Sequence, residues 1–179
     1  KTQSIAFTRT FDSRDNVNDP HEGKRNSYSI EWAGLGGDFD FTKYSADYRY
    51  YYRMGASEDV LALQFGVGYA DGTMPLSQRF AVGGSDSLRG YKDDQFKGNS
   101  MLKATLEYRT PLMKKVQGVI FTDTGYAWDK KTEDDFDLGL IKFSYGIGLR
   151  VNSPLGPLRL DYGIGDDGGR FHFSFGGQF

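Results

Sequence analysis

The chain has 179 residues and a formal net charge of −2, and only 38% of its residues are apolar, whereas Gly, Phe and Tyr are frequent at 24, 14 and 12 copies. This composition favours strands and tight turns, and it excludes a helical membrane protein because no run approaches the roughly 18 to 20 apolar residues that span a bilayer. The mixed charges offer no basic surface for nucleic acid, and the absence of cysteine excludes disulfides and thiol chemistry.

Nine segments alternate apolar and polar residues with the period of a β-strand. In chain order they are residues 5–15, 27–32, 47–53, 61–69, 101–109, 116–128, 141–151, 157–164 and 171–179. In 141–151, for example, Phe143 and Ile147 share one face while Arg150 lies on the other. The alternation is least regular in 116–128.

The two faces of these segments differ in chemistry. The polar faces carry charges such as Glu107, Arg150 and Asp161, and the apolar faces carry aromatic residues near the strand ends. A wet lumen and an aromatic girdle at the membrane interface would explain both. We therefore predict an all-β fold in which residues 1–179 form one domain, an antiparallel transmembrane β-barrel of about 8–10 strands or part of a larger barrel of about 16 strands. A soluble β-sandwich also alternates and is the alternative.

Short and long connections alternate along the chain. Residues 54–59, 110–115 and 152–157 are predicted short links, whereas residues 71–100 form a long connection. In bacterial barrels short turns face the periplasm and long loops face outward, so 71–100 is predicted to be an external loop. The same parity places Lys1 outside, where the N-terminus of a complete barrel with an even strand number would not lie. A preceding strand, a larger N-terminal half or a second copy of the chain could complete the wall.

The predicted external loop contains the sequence FAVGGSDSLRGY at residues 80–91. It resembles the F-x-x-GG…(V/L)RG(F/Y) signature of the sixth external loop in the BamA/TamA outer-membrane insertase superfamily. The signature residues here are Gly83, Gly84, Leu88, Arg89, Gly90 and Tyr91. Further segments resemble the family in order: DSRD at 12–15 with Pro20 and Gly23, LEY at 106–108, FTDTG at 121–125 and NSPLGP at 152–157. The resemblance covers nearly the whole chain.

The resemblance implies that the loop folds into the lumen and that Arg89 contacts the carboxylates of Glu107 and Asp123. A guanidinium stays charged and offers a planar fork to carboxylates, so it suits a latch in a partly dehydrated lumen. Gly90 would let the backbone turn tightly, and the Gly-Gly pair at 83–84 would let the loop approach the wall. The alternative is that Arg89 is a solvated loop residue.

The end of the chain resembles the C-terminal signal by which outer-membrane barrels are recognised for assembly. Its members would be Phe171, Phe173, Phe175, Gly176 and Phe179. The adjacent glycines at 176–177 would weaken the pairing of this strand with the first one, so that the seam could open and template an incoming strand. A closing strand without a recognition role is the alternative.

Enzymatic chemistry has little support in the sequence. His21 and His172 are far apart, and no nucleophile or phosphate-binding motif is present. The acidic pairs at 134–135 and 166–167 could bind a divalent ion, but solvated loops are favoured. We expect no catalytic residue, metal or cofactor.

The resemblance implies a bacterial outer-membrane protein that assists the insertion, assembly or translocation of outer-membrane proteins. Its partners would be membrane lipids and nascent outer-membrane proteins, and a short member without POTRA domains could also self-associate. The alternative is a passive channel or structural barrel. A two-partner secretion pore, which shares the RGY loop, lies between the two.

Overall fold

The structure, a computed structural model, describes residues 1–129, 137–153 and 156–176. Within these ranges nine strands form one antiparallel sheet in the order β1-β2-β3-β4-β7-β8-β9-β10-β11, and β5 and β6 form a separate pair. The strands of the large sheet are β1 (Ser4–Asp12), β2 (Gly23–Ala33), β3 (Asp40–Arg53), β4 (Val60–Thr73), β7 (Ser100–Met113), β8 (Val116–Trp128), β9 (Lys142–Ser153), β10 (Gly156–Gly165) and β11 (Gly168–Phe175). These ranges contain no helix long and apolar enough to cross a membrane. The predicted all-β class and its strand number are confirmed.

The sheet has an apolar outer face and a polar inner face. Phe7 and Phe143 on the outer face are 75% and 64% exposed, whereas Glu107 and Asp161 on the inner face are 0% and 1% exposed. A soluble β-sandwich would bury its apolar face instead. The arrangement is that of a membrane barrel wall, with lipid outside and charged groups inside.

Strand β8 has apolar residues on both faces, which made its alternation hard to recognise in the sequence. Val119 and Phe121 point to the inner face and are each 3% exposed, whereas Ile120 between them points outward and is 62% exposed. On the inner face, the Phe121 ring stacks against the Arg89 guanidinium of the long loop. Apolar residues therefore occur on both faces of one strand.

The two outermost strands leave the sheet open. Among the described residues, β1 pairs with β2 alone and β11 pairs with β10 alone. All nine residues of β1 are exposed. The described strands thus form a curved wall rather than a closed barrel, in line with the predicted need for further strands.

Several predicted connections are wrong at their ends because strand pairing continues into them. Residues 110–115 were expected to be a link, but β7 runs to Met113, with Thr110 and Pro111 paired to Gly118 and Gln117. The register shifts between Pro111 and Met113, a bulge that tolerates a residue without an N–H. The turn itself is residues 114–115.

The other boundary corrections have the same cause. The predicted link 152–157 is occupied by the end of β9 at Ser153 and the start of β10 at Gly156. The long connection covers residues 74–99 rather than 71–100. Strand β11 begins at Gly168, before the predicted start of 171, and ends at Phe175.

The β1–β2 connection, residues 13–22, lies across the periplasmic end of the sheet, and we call it the strap. Asp19 accepts hydrogen bonds from Gln117 Nε2 of β8 at 3.1 and 3.2 Å and from Asn152 Nδ2 of β9 at 2.7 Å. Pro20 next to it is buried. At the other side of the strap, Glu22 Oε1 forms an ion pair with Arg53 Nε of β3 at 2.9 Å. The strap therefore connects strands far apart in the sheet.

Candidate functional site

The external loop, residues 74–99, leaves β4 and returns to β7 through a small hairpin. Its strands are β5 (Phe80–Val82) and β6 (Phe96–Gly98), and the signature residues lie between them. Gly84 and Leu88 exchange two backbone hydrogen bonds at 3.1 and 3.2 Å. This tight turn directs the next residue, Arg89, against the inner face of the sheet.

The Arg89 guanidinium forms a two-point ion pair with Asp123 of β8. Nε donates to Oδ2 and Nη2 donates to Oδ1, both at 2.8 Å. The backbone N–H of Arg89 donates to the same Oδ2 at 3.0 Å. Asp123 therefore binds both the side chain and the main chain of the loop, which fixes the position as well as the charge.

Two further carboxylates and an aromatic ring complete the surroundings of Arg89. Its Nη1 donates to Glu107 Oε1 of β7 at 2.6 Å and to Asp161 Oδ2 of β10 at 3.3 Å. The guanidinium carbon lies 3.3 Å from the centroid of the Phe121 ring, a stacked cation–π contact. The Arg89 side chain is 2% exposed.

Three more arginines join these carboxylates in what we call the lumen charge network. Arg150 contacts Glu107 at 3.0 Å and also Asp161, Arg109 contacts Glu107 at 2.9 Å, and Arg159 contacts Asp161 at 3.5 Å. The network consists of Arg89, Arg109, Arg150, Arg159, Glu107, Asp123 and Asp161. Four cations and three anions leave a net charge of +1 (4 − 3). Burial alone would lower the pKa of Arg89, but the three carboxylates raise the pKa above its ordinary value.

The residues after Arg89 attach the loop to β9, to the β10–β11 turn and to β11. The Gly90 N–H donates to His172 Nε2 of β11 at 3.0 Å, so this ring nitrogen is the acceptor. Tyr91 Oη donates to the Phe143 carbonyl at 3.2 Å and accepts from the Asp166 N–H at 3.0 Å. His172 thus has a structural partner in the loop.

The glycines of the signature act differently from the sequence prediction. A Cβ on Gly90, at φ +91°, would lie 2.8 Å from Gly165 N of β10, so Gly90 is the residue that approaches the wall. At Gly83 and Gly84 a Cβ would instead meet Lys92 O at 2.3 Å and Asp93 Oδ1 at 2.0 Å. These two glycines pack within the loop, and their φ values of +133° and +88° favour glycine. The prediction that they approach the wall is wrong.

The structure brings Arg89 together with both predicted partners, Glu107 and Asp123. Leu88 and Tyr91 are buried beside them in an apolar cluster with Val82 and Ala127. The sequence placed Asp161 and the three other arginines on the polar face without identifying them as partners. Phe121 and His172 were not identified either, because only the folded register shows which inward residues lie beneath the loop tip.

The predicted C-terminal signal is partly described. Phe171, Phe173 and Phe175 point outward and are 75%, 61% and 65% exposed. Gly176 follows the end of β11, and its N–H donates to the Pro157 carbonyl at 2.8 Å. The prediction that the glycines at 176–177 weaken the pairing of this strand with the first one stays a prediction. Residues 177–179, with Phe179, lie outside the described residues.

The acidic turns engage other side chains. Asp166 pairs with Lys142 at 3.0 Å, a hydrogen bond that holds the pKa of this exposed carboxyl below its usual range. Asp167 accepts from Gln95 Nε2 of the external loop at 2.8 Å. Across the described ranges no group of three or more His, Asp or Glu side chains is arranged for a metal ion. The pair at 134–135 lies outside them.

Comparison with known proteins identifies the family. The family model of the Omp85 superfamily domain matches residues 1–179. The chain belongs to the Omp85 superfamily. It is 32% identical over 204 aligned positions to the outer membrane protein assembly factor BamA of Nitratidesulfovibrio vulgaris, covering 98% of the chain and 26% of that protein. It is 37% identical over 117 positions to the chloroplastic outer envelope protein 80 of Arabidopsis thaliana, covering 61% of the chain and 16% of the relative.

A solved BamA structure has the same fold. The sheet matches BamA from Haemophilus ducreyi with a TM-score of 0.81 and 19% identity, over 97% of this chain and 41% of that one. The predicted resemblance and barrel fold are thus confirmed. The outer-membrane and outer-envelope relatives also confirm the predicted outer-membrane location. The chain spans about a quarter of the length of the BamA relative.

Proposed function

We propose that this chain forms the wall and the latched external loop of an Omp85 barrel that assists the insertion or assembly of outer-membrane proteins. The proposal rests on one observation. Arg89 of the external loop binds three carboxylates, one each on β7, β8 and β10. The name of the BamA relative supplies the substrate class, outer-membrane proteins.

The latch would act by holding the loop and the last strands in one arrangement. Arg89 connects the loop to β7, β8 and β10, and Gly90 connects it to β11 through His172. The position of β11, the last strand of the sheet, is thereby coupled to the position of the loop. An incoming strand that pairs with an exposed sheet edge would then meet a strand held from inside.

A passive channel or a structural barrel is the second candidate. The loop fills the inner face beside the network with buried side chains, among them Leu88 and Tyr91. This filling argues against a wide permanent pore. Single-channel recordings distinguish the two, because a plugged insertase conducts poorly and irregularly whereas a channel conducts steadily. Self-association and the C-terminal recognition signal stay predictions.

The test is insertion of an unfolded outer-membrane protein into liposomes that contain the purified protein. We expect Arg89→Ala to slow insertion at least about tenfold, which corresponds to about 1.4 kcal/mol in an activation barrier. Lys97→Ala is the matched control, because Lys97 is an exposed cation of the same loop that contacts Asp94 at 3.7 Å. Equal insertion rates for wild type and a folded Arg89→Ala variant would remove the proposed role of the latch.

A further inference from the structure

Arg9 lies on the membrane-facing side of β1. Arg9 alternates with Phe7 and Phe11, which are 75% and 53% exposed on the outer face. No carboxylate among the described residues pairs with Arg9. The outer faces of β1 and β2 carry one other charge, Lys24, and no acid. A cation facing lipid is costly unless an anion or water reaches it.

Arg9 borders an apolar groove on the same face. The groove has a volume of about 640 Å³, and its floor is Ala46, which is opposite Tyr28 and Val67 in the register. Arg9 is opposite Tyr28, so Arg9 and Ala46 lie in one row two strands apart, about 10 Å at the usual strand spacing. Its walls are Phe7, Tyr28, Ile30, Tyr44, Val67 and Tyr69.

Arg9 lies nearer the strap end of β1 than the other end, since β1 runs from Ser4 to Asp12. It lies three residues before the end of β1 at Asp12, about 10 Å of strand, and that end leads into the strap at the periplasmic side. Its long side chain can extend toward the interface while its stem stays in the apolar layer. Lys24 lies still nearer that side, with Nζ 5.6 Å from the Phe11 ring centroid.

A second groove on the outer face is apolar like the groove at Ala46 but lacks an arginine. It has a volume of about 390 Å³, its floor is Ala104, and it is lined by Leu63, Phe65 and Leu106 among others. No basic residue lines it. Both grooves would contact acyl chains, but only the groove at Ala46 offers a charge to a headgroup.

We propose that the groove at Arg9 and Ala46 binds one anionic phospholipid of the periplasmic leaflet. The lipid phosphate accepts hydrogen bonds from the Arg9 guanidinium, and one acyl chain lies over Ala46 between the aromatic walls. Lys24 adds a second positive charge beside the headgroup. This site is independent of the lumen charge network, because it lies on the opposite face of the sheet.

The test is native mass spectrometry of the protein released from detergent, after titration with phosphatidylglycerol or with phosphatidylcholine of the same acyl chains. We expect one phosphatidylglycerol to be retained, with an affinity lowered about tenfold by Arg9→Gln, the loss expected for one charge-assisted contact. Ala46→Phe, which fills the groove, should abolish retention. Ala104→Phe, which fills the second groove, and Lys97→Gln should leave it unchanged.

The proposal would be overturned by equal retention of the two phospholipids, by unchanged retention in Arg9→Gln, or by equal effects of Ala46→Phe and Ala104→Phe. Stronger retention of lipid A than of phosphatidylglycerol would also overturn it, because lipid A belongs to the outer leaflet. Heat-dependent gel mobility shows that each variant is folded, and the pair Ala46→Leu and Ala104→Leu repeats the comparison if a Phe variant does not fold.

Discussion

At the scale of single residues, the environment of Arg89 determines what its loss would do. Asp123 and Glu107 are 1% and 0% exposed. If the guanidinium is removed, water cannot reach these two carboxylates to take over its hydrogen bonds. Breaking one side of a buried ion pair is far more costly than forming the pair is favourable. The three other arginines of the network contact Glu107 and Asp161.

Gly90 gives a prediction at this scale. Gly90→Ala should lower the free energy of unfolding by about 1–3 kcal/mol more than Gly55→Ala, because both positions have positive φ but only Gly90 is crowded. Gly55 has no atom within 4 Å of a Cβ. Denaturant titration of the two folded variants measures the difference. Equal losses would show that the contact between Gly90 and β10 is not important for stability.

Residue identities alone predicted part of the site. The motif led to Arg89, Glu107 and Asp123, and the polar face of β10 included Asp161. The partnership with Asp161 could not be predicted, because it depends on how far the loop tip reaches across the sheet. The close approach to the wall was assigned to Gly83 and Gly84 instead of Gly90 for the same reason. The sequence indicates where a backbone needs positive φ, but not which neighbour it approaches.

At the scale of elements, the strap gives the next prediction. Asp19→Ala removes the acceptor of Gln117 and Asn152, a loss of about 1.5–3 kcal/mol for a hydrogen bond to a charged group. Amide hydrogen exchange should therefore become faster in residues 13–22, while the external loop stays unchanged. Asp38→Ala, an exposed acid at the opposite end of the sheet, is the control.

An unchanged exchange rate in the strap of Asp19→Ala would contradict this account. It would mean that the ion pairs of Arg53 and the burial of Pro20 hold the strap without help from β8 and β9.

Strands were easier to predict than their ends. Each of the nine predicted segments falls on a strand of the large sheet, because a wall with lipid on one face and the lumen on the other imposes a period of two. The ends depend on partners: Thr110 and Pro111 extend β7 because β8 continues beside them. The hairpin β5–β6 in the loop was not predicted, because three-residue strands carry too little alternation to recognise.

At the scale of the whole molecule, the open edges of β1 and β11 require partners in lipid, where unpaired backbone groups are costly. The parity of the strands predicted this need from the sequence. The sequence could not indicate what covers each edge, because backbone pairing uses no particular side chain. The relatives, of which this chain spans about a quarter to two fifths, contain further chain that could supply strands.

The central claim is that the external loop is held in the lumen by the pairing of Arg89 with Asp123. A double-mutant cycle with Arg89→Ala, Asp123→Ala and the double variant tests it most directly, with the free energy of unfolding measured in detergent or lipid. We predict a coupling free energy of about 2 kcal/mol or more, because Asp123 binds the guanidinium at two points. Additive losses, with coupling near zero, would contradict the account.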